Sequence, residues 1–290
     1  MRVGDDGRAA GSVRHKPWSP DELTTHLHGL GVRPGDMLMV HASLRKIGHT
    51  ERGASGILDA LDEAVGPSGT LLMVLGAVVE HEWVNERPEQ ERAALLAHEA
   101  PYDPLTALPL PEVGYLAEAF RTRAGTIVND NPSGRFAARG KRADELLRDV
   151  PWDDYYGPGS PLHRLCQAQG RVLRLGANPD TMTVLHYAEY LASVPAKRRV
   201  VRHYRVRGPG GPETRSVDCL DDEHGIVEWP PGGAARVEGP DGDYFAVILK
   251  AYLAAGHGLR GRVGGADAEL IEATDFVGFG ARWMTEHLGG

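Results

Sequence analysis

His186 and Glu189 stand three residues apart in Thr183-Val184-Leu185-His186-Tyr187-Ala188-Glu189, a helical run, so their side chains share a face. A carboxylate in that place steadies an imidazole or raises its basicity, and imidazole is the side chain whose proton comes and goes near neutral pH. Just upstream, Gly176-Ala177-Asn178-Pro179-Asp180 makes a tight turn that puts Asp180 in position to cap the helix and Thr183 at its third position. The first backbone N–H groups of such a helix are open to a carbonyl or an anion. An isolated His-x-x-Glu is more often a packed, locally bonded pair than a reactive one, and the spacing alone leaves both readings open.

Other chemistries find less support. The chain has 13 histidines, but there is no His-Glu-x-x-His and no closely spaced Cys/His set, and His81-Glu82 falls in a segment that reads as loop; no metal is expected. Gly-x-Ser-x-Gly is absent, and Gly159-Ser160-Pro161 puts Ser160 where it caps a helix. Without a P-loop or a Gly-x-Gly-x-x-Gly turn, nucleoside-triphosphate chemistry and hydride transfer lose most of their basis.

The elements that must hold these residues follow from periodicity and caps. Ser19-Pro20-Asp21-Glu22 is a capping box with proline at the first helical position, and Leu23, Leu27 and Leu30 continue it as a helix over about 20–30. Met37-Leu38-Met39-Val40 reads as a buried strand that delivers His41-Ala42-Ser43-Leu44-Arg45-Lys46. A helix near 55–65, the turn Gly66-Pro67-Ser68-Gly69 and the apolar run 70–75 complete a strand, helix, strand unit. Further helices are expected at 113–124, 141–148, 160–168, 181–193, 241–255 and 275–288, a strand at 171–175, and paired strands at 199–206 and 214–220 around a Gly/Pro turn at 208–212. The fold class is α/β, a central sheet flanked by helices. Residues 1–17 read as a mobile arm and 18–290 as a single domain, with a long insertion near 76–111 as a binding loop or lid.

Composition limits the partners. Hydrophobic residues at 41% and charged residues at 25% are globular values, and no apolar run reaches the roughly 20 residues that span a bilayer, so a soluble, cytoplasmic chain without membrane contact is expected. A net charge of −8 argues against nucleic acid and suits a cationic small molecule. Cys166 and Cys219 lack any CxxC spacing and read as packing residues.

Several motifs in one order make the chain resemble the aminoglycoside 3-N-acetyltransferase family from about residue 18 to its end. They are Val40-His41-Ala42-Ser43-Leu44-Arg45 with Gly48, Gly66-Pro67-Ser68-Gly69-Thr70-Leu71, Asn131-Pro132 leading to Ala137-Ala138-Arg139-Gly140, Gly159-Ser160-Pro161-Leu162, the Thr183–Glu189 run, Lys197-Arg198-Arg199 and Arg262-Val263-Gly264-Gly265. The resemblance implies that family's α/β fold and direct acetyl transfer from acetyl-CoA to the 3-amino group of a 2-deoxystreptamine ring, the reaction that confers resistance. It puts His186 in the place of the general base, with Glu189 to orient it. Ser43, Leu44, Arg45, Lys46 and Thr183 fall at the CoA contact. The acidic antibiotic pocket maps onto Asp222, in Asp221-Asp222-Glu223, and onto Glu80 and Asp103 in the insertion. Some relatives carry histidine where this chain has Asn131 and serine where it has Arg135, so the resemblance assigns those two no role. A monomer or homodimer is expected. The rivals are a CoA-dependent N-acyltransferase of the same fold acting on another amine, such as a biosynthetic intermediate, and a non-catalytic protein that binds polycations through its carboxylates.

Overall fold

The computed structural model describes residues 16–229 and 242–289; most of the arm expected over 1–17, and the first residue of the helix expected at 241–255, lie outside the described residues. The strands are β1 (Met37–Ala42), β2 (Thr70–Val74), β3 (Ile127–Val128), β4 (Phe136–Gly140), β5 (Arg171–Leu175), β6 (Arg199–Gly208), β7 (Gly211–Leu220), β8 (Leu259–Val263) and β9 (Ala266–Glu272). Seven of them form a mixed sheet in the order β3-β4-β2-β1-β5-β9-β8, and β6 pairs with β7 as a separate hairpin. β1 lies at the centre, parallel to β2 on one side and to β5 on the other, while β4 and β9 run antiparallel outside them.

Alternation along the central strands divides the core in two. Leu38, Val40, Leu71, Met73, Leu173 and Leu175 face one side, where they pack against α1 (Pro20–Leu30), α2 (Leu44–Ile47), α3 (Ala54–Val65) and, beyond α4 (Glu89–Leu96) of the insertion, α5 (Tyr115–Arg121). Met37, Met39, Leu72 and Val172 face the other side. That side is covered by α6 (Ala143–Leu147), α7 (Pro161–Gln167), α8 (Leu185–Leu191), α9 (Tyr244–Ala254), α10 (Ala273–Leu288) and the inner face of the hairpin. Burial on both faces is why β1 and β2 read as near-continuous apolar runs, while β5 interleaves Val172, Leu173 and Leu175 with Arg171 and Arg174. Among the described residues no helix is long and apolar enough to cross a membrane.

The expected caps form. Ser19 Oγ accepts from Glu22 N at 3.2 Å while Glu22 Oε2 accepts from Ser19 N at 2.8 Å, and Ser160 Oγ accepts from His163 N at 3.2 Å. One cap does not. The helix expected over 181–193 is a 3-10 turn at Pro179–Thr181 followed by α8, because Thr183 N bonds Thr181 O at 2.8 Å and Met182, fully buried, leaves helical backbone angles at ψ 67°. Asp180 therefore sits inside the turn and does not cap α8, whose preceding residue Val184 makes no side-chain cap.

The insertion at 76–111 is more ordered than a loop. Val78 N bonds Leu108 O at 2.9 Å and Leu110 N bonds Leu75 O at 3.0 Å, so its two ends run side by side, and Tyr102 N bonds Arg205 O of the hairpin at 2.7 Å. Arg135 and Asn131 belong to this scaffold. Arg135 is fully buried and donates to the carbonyls of Gly76 and Pro104, and Asn131 Oδ1 accepts from Ser133 N and Gly134 N, both at 3.0 Å.

Gly176, at the end of β5, has φ 64°, and a Cβ there would meet Lys46 Cβ at 2.9 Å and Ala266 Cβ at 3.1 Å. Gly176→Ala is therefore expected to destabilise the fold by about 1–3 kcal/mol, read as a lower Tm. An unchanged Tm would show that the turn relaxes without cost.

Candidate active site

The carboxyl ends of β1, β2 and β5 point the same way, and the crevice beside a central strand whose neighbours lie on opposite sides is where open α/β sheets bind ligands. A cavity of about 1030 Å³ opens there, large enough for two sizeable ligands together. One wall comes from the segment after β1, with Ser43, Leu44, Arg45 and Lys46, and from Thr183 after β5. Ser43 precedes α2 without spending its hydroxyl on a cap. Arg45 and Lys46 are exposed cations beside it.

His186 reaches the cavity from the first turn of α8. Its Nδ1 lies 2.8 Å from Glu189 Oε2, the contact that the three-residue spacing predicts. The ring stacks on Tyr156 with centroids 4.7 Å apart and planes 8° apart, and meets the edge of Phe245 at 4.8 Å. With Nδ1 engaged, Nε2 is the nitrogen left for a ligand. Glu189 is only 1% exposed, and the Tyr244 hydroxyl donates to its other oxygen, Oε1. Burial opposes the imidazolium of His186, but the Glu189 carboxylate outweighs it through charge and hydrogen bond, and the pKa stands above the ordinary histidine value. Burial likewise pushes the Glu189 carboxyl up, against the pull of His186 and Tyr244. The two groups hold a proton between them.

The acidic residues divide. Asp222 lines the cavity, with Oδ1 2.9 Å from Arg202 Nη1 and Oδ2 accepting from Tyr155 Oη at 2.8 Å. Glu223 lines it as well, but Asp221 is buried and accepts from the N–H groups of Glu223 and His224 in its own turn. Glu80 and Asp103, expected in the same pocket, are absent from its wall. Glu80 is exposed outside, before the 3-10 turn Glu82–Glu86, and Asp103 is taken up by Leu105 N at 2.9 Å and lies 3.9 Å from Arg207. That turn presents Glu82 to the cavity in their place.

Sequence spacing marked none of Tyr156, Tyr244, Phe245, Glu82 or Arg202, because each reaches the site through tertiary structure. Cys166 and Cys219 are both buried, and burial pushes their thiols up to about 12 and about 11. Among the described residues no three His, Cys, Asp or Glu side chains gather as a metal site.

Comparison with known proteins gives the family and the fold. The family model for aminoglycoside 3-N-acetyltransferase matches residues 39–285. The chain is 38% identical over 275 residues to aminoglycoside N(3)-acetyltransferase VIII of Streptomyces fradiae, covering 94% of each protein. Among solved structures, AAC-IIIb in binary complex with CoASH superposes with a TM-score of 0.85 at 34% identity, covering 94% of this chain and 98% of that one. AAC-VIa with bound sisomicin superposes with a TM-score of 0.82 at 34% identity, covering 93% and 99%.

His41 forms part of the cavity floor at 6% exposure, and its Nε2 has no hydrogen-bond partner. Burial, helped by the nearby charge of Arg174, lowers its pKa from 6.5 to about 4. The unfolded chain binds the proton first as pH falls, so the stability carried by neutral His41 is present above 6.5 and is lost from there down to about 4. Between about pH 7.5 and about pH 5 this single group should cost about 2 kcal/mol. Chemical denaturation of wild type and His41→Gln at both pH values checks it. The variant is expected to lose less stability on acidification, and equal losses would contradict the assignment.

Proposed function

The chain belongs to the aminoglycoside 3-N-acetyltransferase family, and on that premise we propose that it transfers the acetyl group of acetyl-CoA to the 3-amino group of an aminoglycoside's 2-deoxystreptamine ring, a modification that confers resistance. His186 is the general base. The observation that carries this reading is the pairing of His186 Nδ1 with buried Glu189 at 2.8 Å, on a cavity wall that also carries Arg45 and Lys46.

An ammonium has no lone pair with which to attack a thioester. His186 Nε2 takes a proton from the amine as nitrogen bonds to the acetyl carbon, and Glu189 stabilises the imidazolium that forms. The C–N bond forms, the C–S bond breaks, and the CoA thiolate leaves and takes up the proton that the His186 imidazolium gives back, which restores the neutral base. Backbone N–H groups at the strand and helix ends around the floor serve the oxyanion. Arg45 and Lys46 match the phosphates of CoA in charge, and Ser43, Leu44 and Thr183 border its pantetheine arm. Transfer is direct, a reading supported by the two cysteines, whose buried, high-pKa thiols make poor acetyl carriers. Glu82, Asp222 and Glu223 give the antibiotic side its acidic character.

His186→Ala leaves the buried Glu189 carboxylate one partner short and is expected to lower Tm, while the protein that stays folded loses about 10²–10⁴-fold in kcat for thiol release at neutral pH, with partial recovery at higher pH where more amine is already neutral. In the wild type, kcat/KM should rise with pH as the His186–Glu189 pair and the substrate amine give up protons, centred above the ordinary imidazole value of 6.5. A stable, fully active His186→Ala would remove His186 as the base. Thiol release with simple amines but with no aminoglycoside would move the activity to another acceptor, and no thiol release at all would leave a binding protein.

A further inference from the structure

Arg202 is a charged residue where the strand pattern calls for an apolar one. On β6 it lies between Val200 and Tyr204 on the face turned toward the core, and its partner across the hairpin, Val217, is fully buried. Only 11% of its side chain is exposed. A guanidinium held there must be paired, and several groups pair it. Nη1 lies 2.9 Å from Asp222 Oδ1 and donates to Tyr155 Oη at 3.0 Å and to Cys219 Sγ at 3.3 Å, while Nη2 is 3.5 Å from Glu223 Oε2. Tyr155 in turn donates to the second oxygen of Asp222. All of these except Cys219 line the cavity.

This changes what the acidic wall recognises. Asp222 looks like an ammonium receptor in the sequence, but in the fold its charge is already answered by Arg202. An ammonium offers donors and no acceptor, so it cannot take a bond from the guanidinium, and it meets like charge at close range. A hydroxyl does both: it donates to Asp222 or Glu223 and accepts from an Arg202 Nη group without charge repulsion.

We propose that Arg202 is a specificity-determining residue that makes this wall favour aminoglycosides presenting a hydroxyl, and not an ammonium, to the Asp222–Glu223 side. The inference rests on the reading of the cavity as an aminoglycoside site. Glu82 lies near enough to feel the charges of Arg202, Asp222 and Glu223, and its carboxylate stays available for an ammonium group beside that wall.

The test uses pairs of aminoglycosides that differ only by a hydroxyl in place of one amine away from the 3-amino group, with acetyl-CoA-dependent thiol release as readout. For a pair differing at the position that reaches Arg202, the wild type is expected to prefer the hydroxyl member in kcat/KM by about tenfold or more. Arg202→Met keeps an unbranched, flexible stem and removes the guanidinium with its charge. It should abolish or reverse that preference, chiefly by lowering KM for the amine member, because the bare Asp222 carboxylate then accepts the ammonium. If the unpaired carboxylate prevents folding, Arg202→Met/Asp222→Asn removes both charges and should reduce the preference to about threefold or less. A purely structural role predicts equal losses for both members. Ratios unchanged in the folded variant for every pair, or a wild type that prefers the amine member of every pair, would overturn the proposal while leaving the acetyltransferase reading intact. A wild type that releases thiol with no aminoglycoside would remove both.

Discussion

A carboxylate that is 1% exposed must be paired, and the pairing of Glu189 organises everything around it. Its Oε2 faces His186 Nδ1 and its Oε1 accepts from Tyr244, so one buried group fixes the tautomer of the imidazole, the orientation of its ring and the seat of α9. Tyr156 and Phe245 complete the cage by packing on the ring from two sides. The dyad joins α8 to α9, two helices on one face of the sheet, and the stacking ties it to the segment before α7. The charge that the pair carries is thus built into the packing of that layer.

The sheet decides what the dyad faces. Because β1 is parallel to both of its neighbours, three strand ends and the segments that follow them converge on one crevice. The segment after β1 brings cations, the turn after β5 brings Thr183 and His186, and the hairpin and insertion close the far side with Arg202, Asp222 and Glu82. A wall that carries Arg45 and Lys46 and a largely acidic wall that carries Glu82, Asp222 and Glu223 then meet at a single imidazole, the arrangement that the proposed transfer requires.

How much of this can be read in the chain follows from which interactions are local. β1 and β2 announce themselves as apolar runs because both their faces are covered, and β5 does so through Val172, Leu173 and Leu175, interleaved with its two arginines. β4, with Phe136-Ala137-Ala138-Arg139-Gly140, and β8, with Leu259-Arg260-Gly261-Arg262-Val263, carry too little apolar pattern to be seen, although Gly264-Gly265 between β8 and β9 is a hairpin turn signal. The contact of His186 with Glu189 is legible since three residues on a helix share a face. Tyr244, 55 residues from Glu189, leaves no such mark. Asp222 is visible as part of an acidic cluster, but its arginine sits on the strand before the hairpin turn and is visible only once the hairpin has folded. Glu80 and Glu82 are equivalent in composition and separated by one turn of backbone, which sends one to solvent and the other to the cavity. The absence of a cap at Asp180 has the same origin, since the burial of Met182 overrides the local preference for a continuous helix.

The central claim is that Glu189 makes the buried His186 imidazole more basic than burial alone would allow. It is tested most directly by titrating His186 itself, following its ring nitrogens by NMR in the wild type and in Glu189→Gln. The wild-type imidazole is expected to titrate above the ordinary 6.5, with its Nδ1 proton held toward Glu189, and the variant to titrate clearly lower than the wild type, because burial is then opposed by the charges of Asp222 and Asp243 without that of Glu189. A wild-type His186 that titrates at or below the ordinary value, or one that the Glu189→Gln substitution leaves unmoved, would contradict the account.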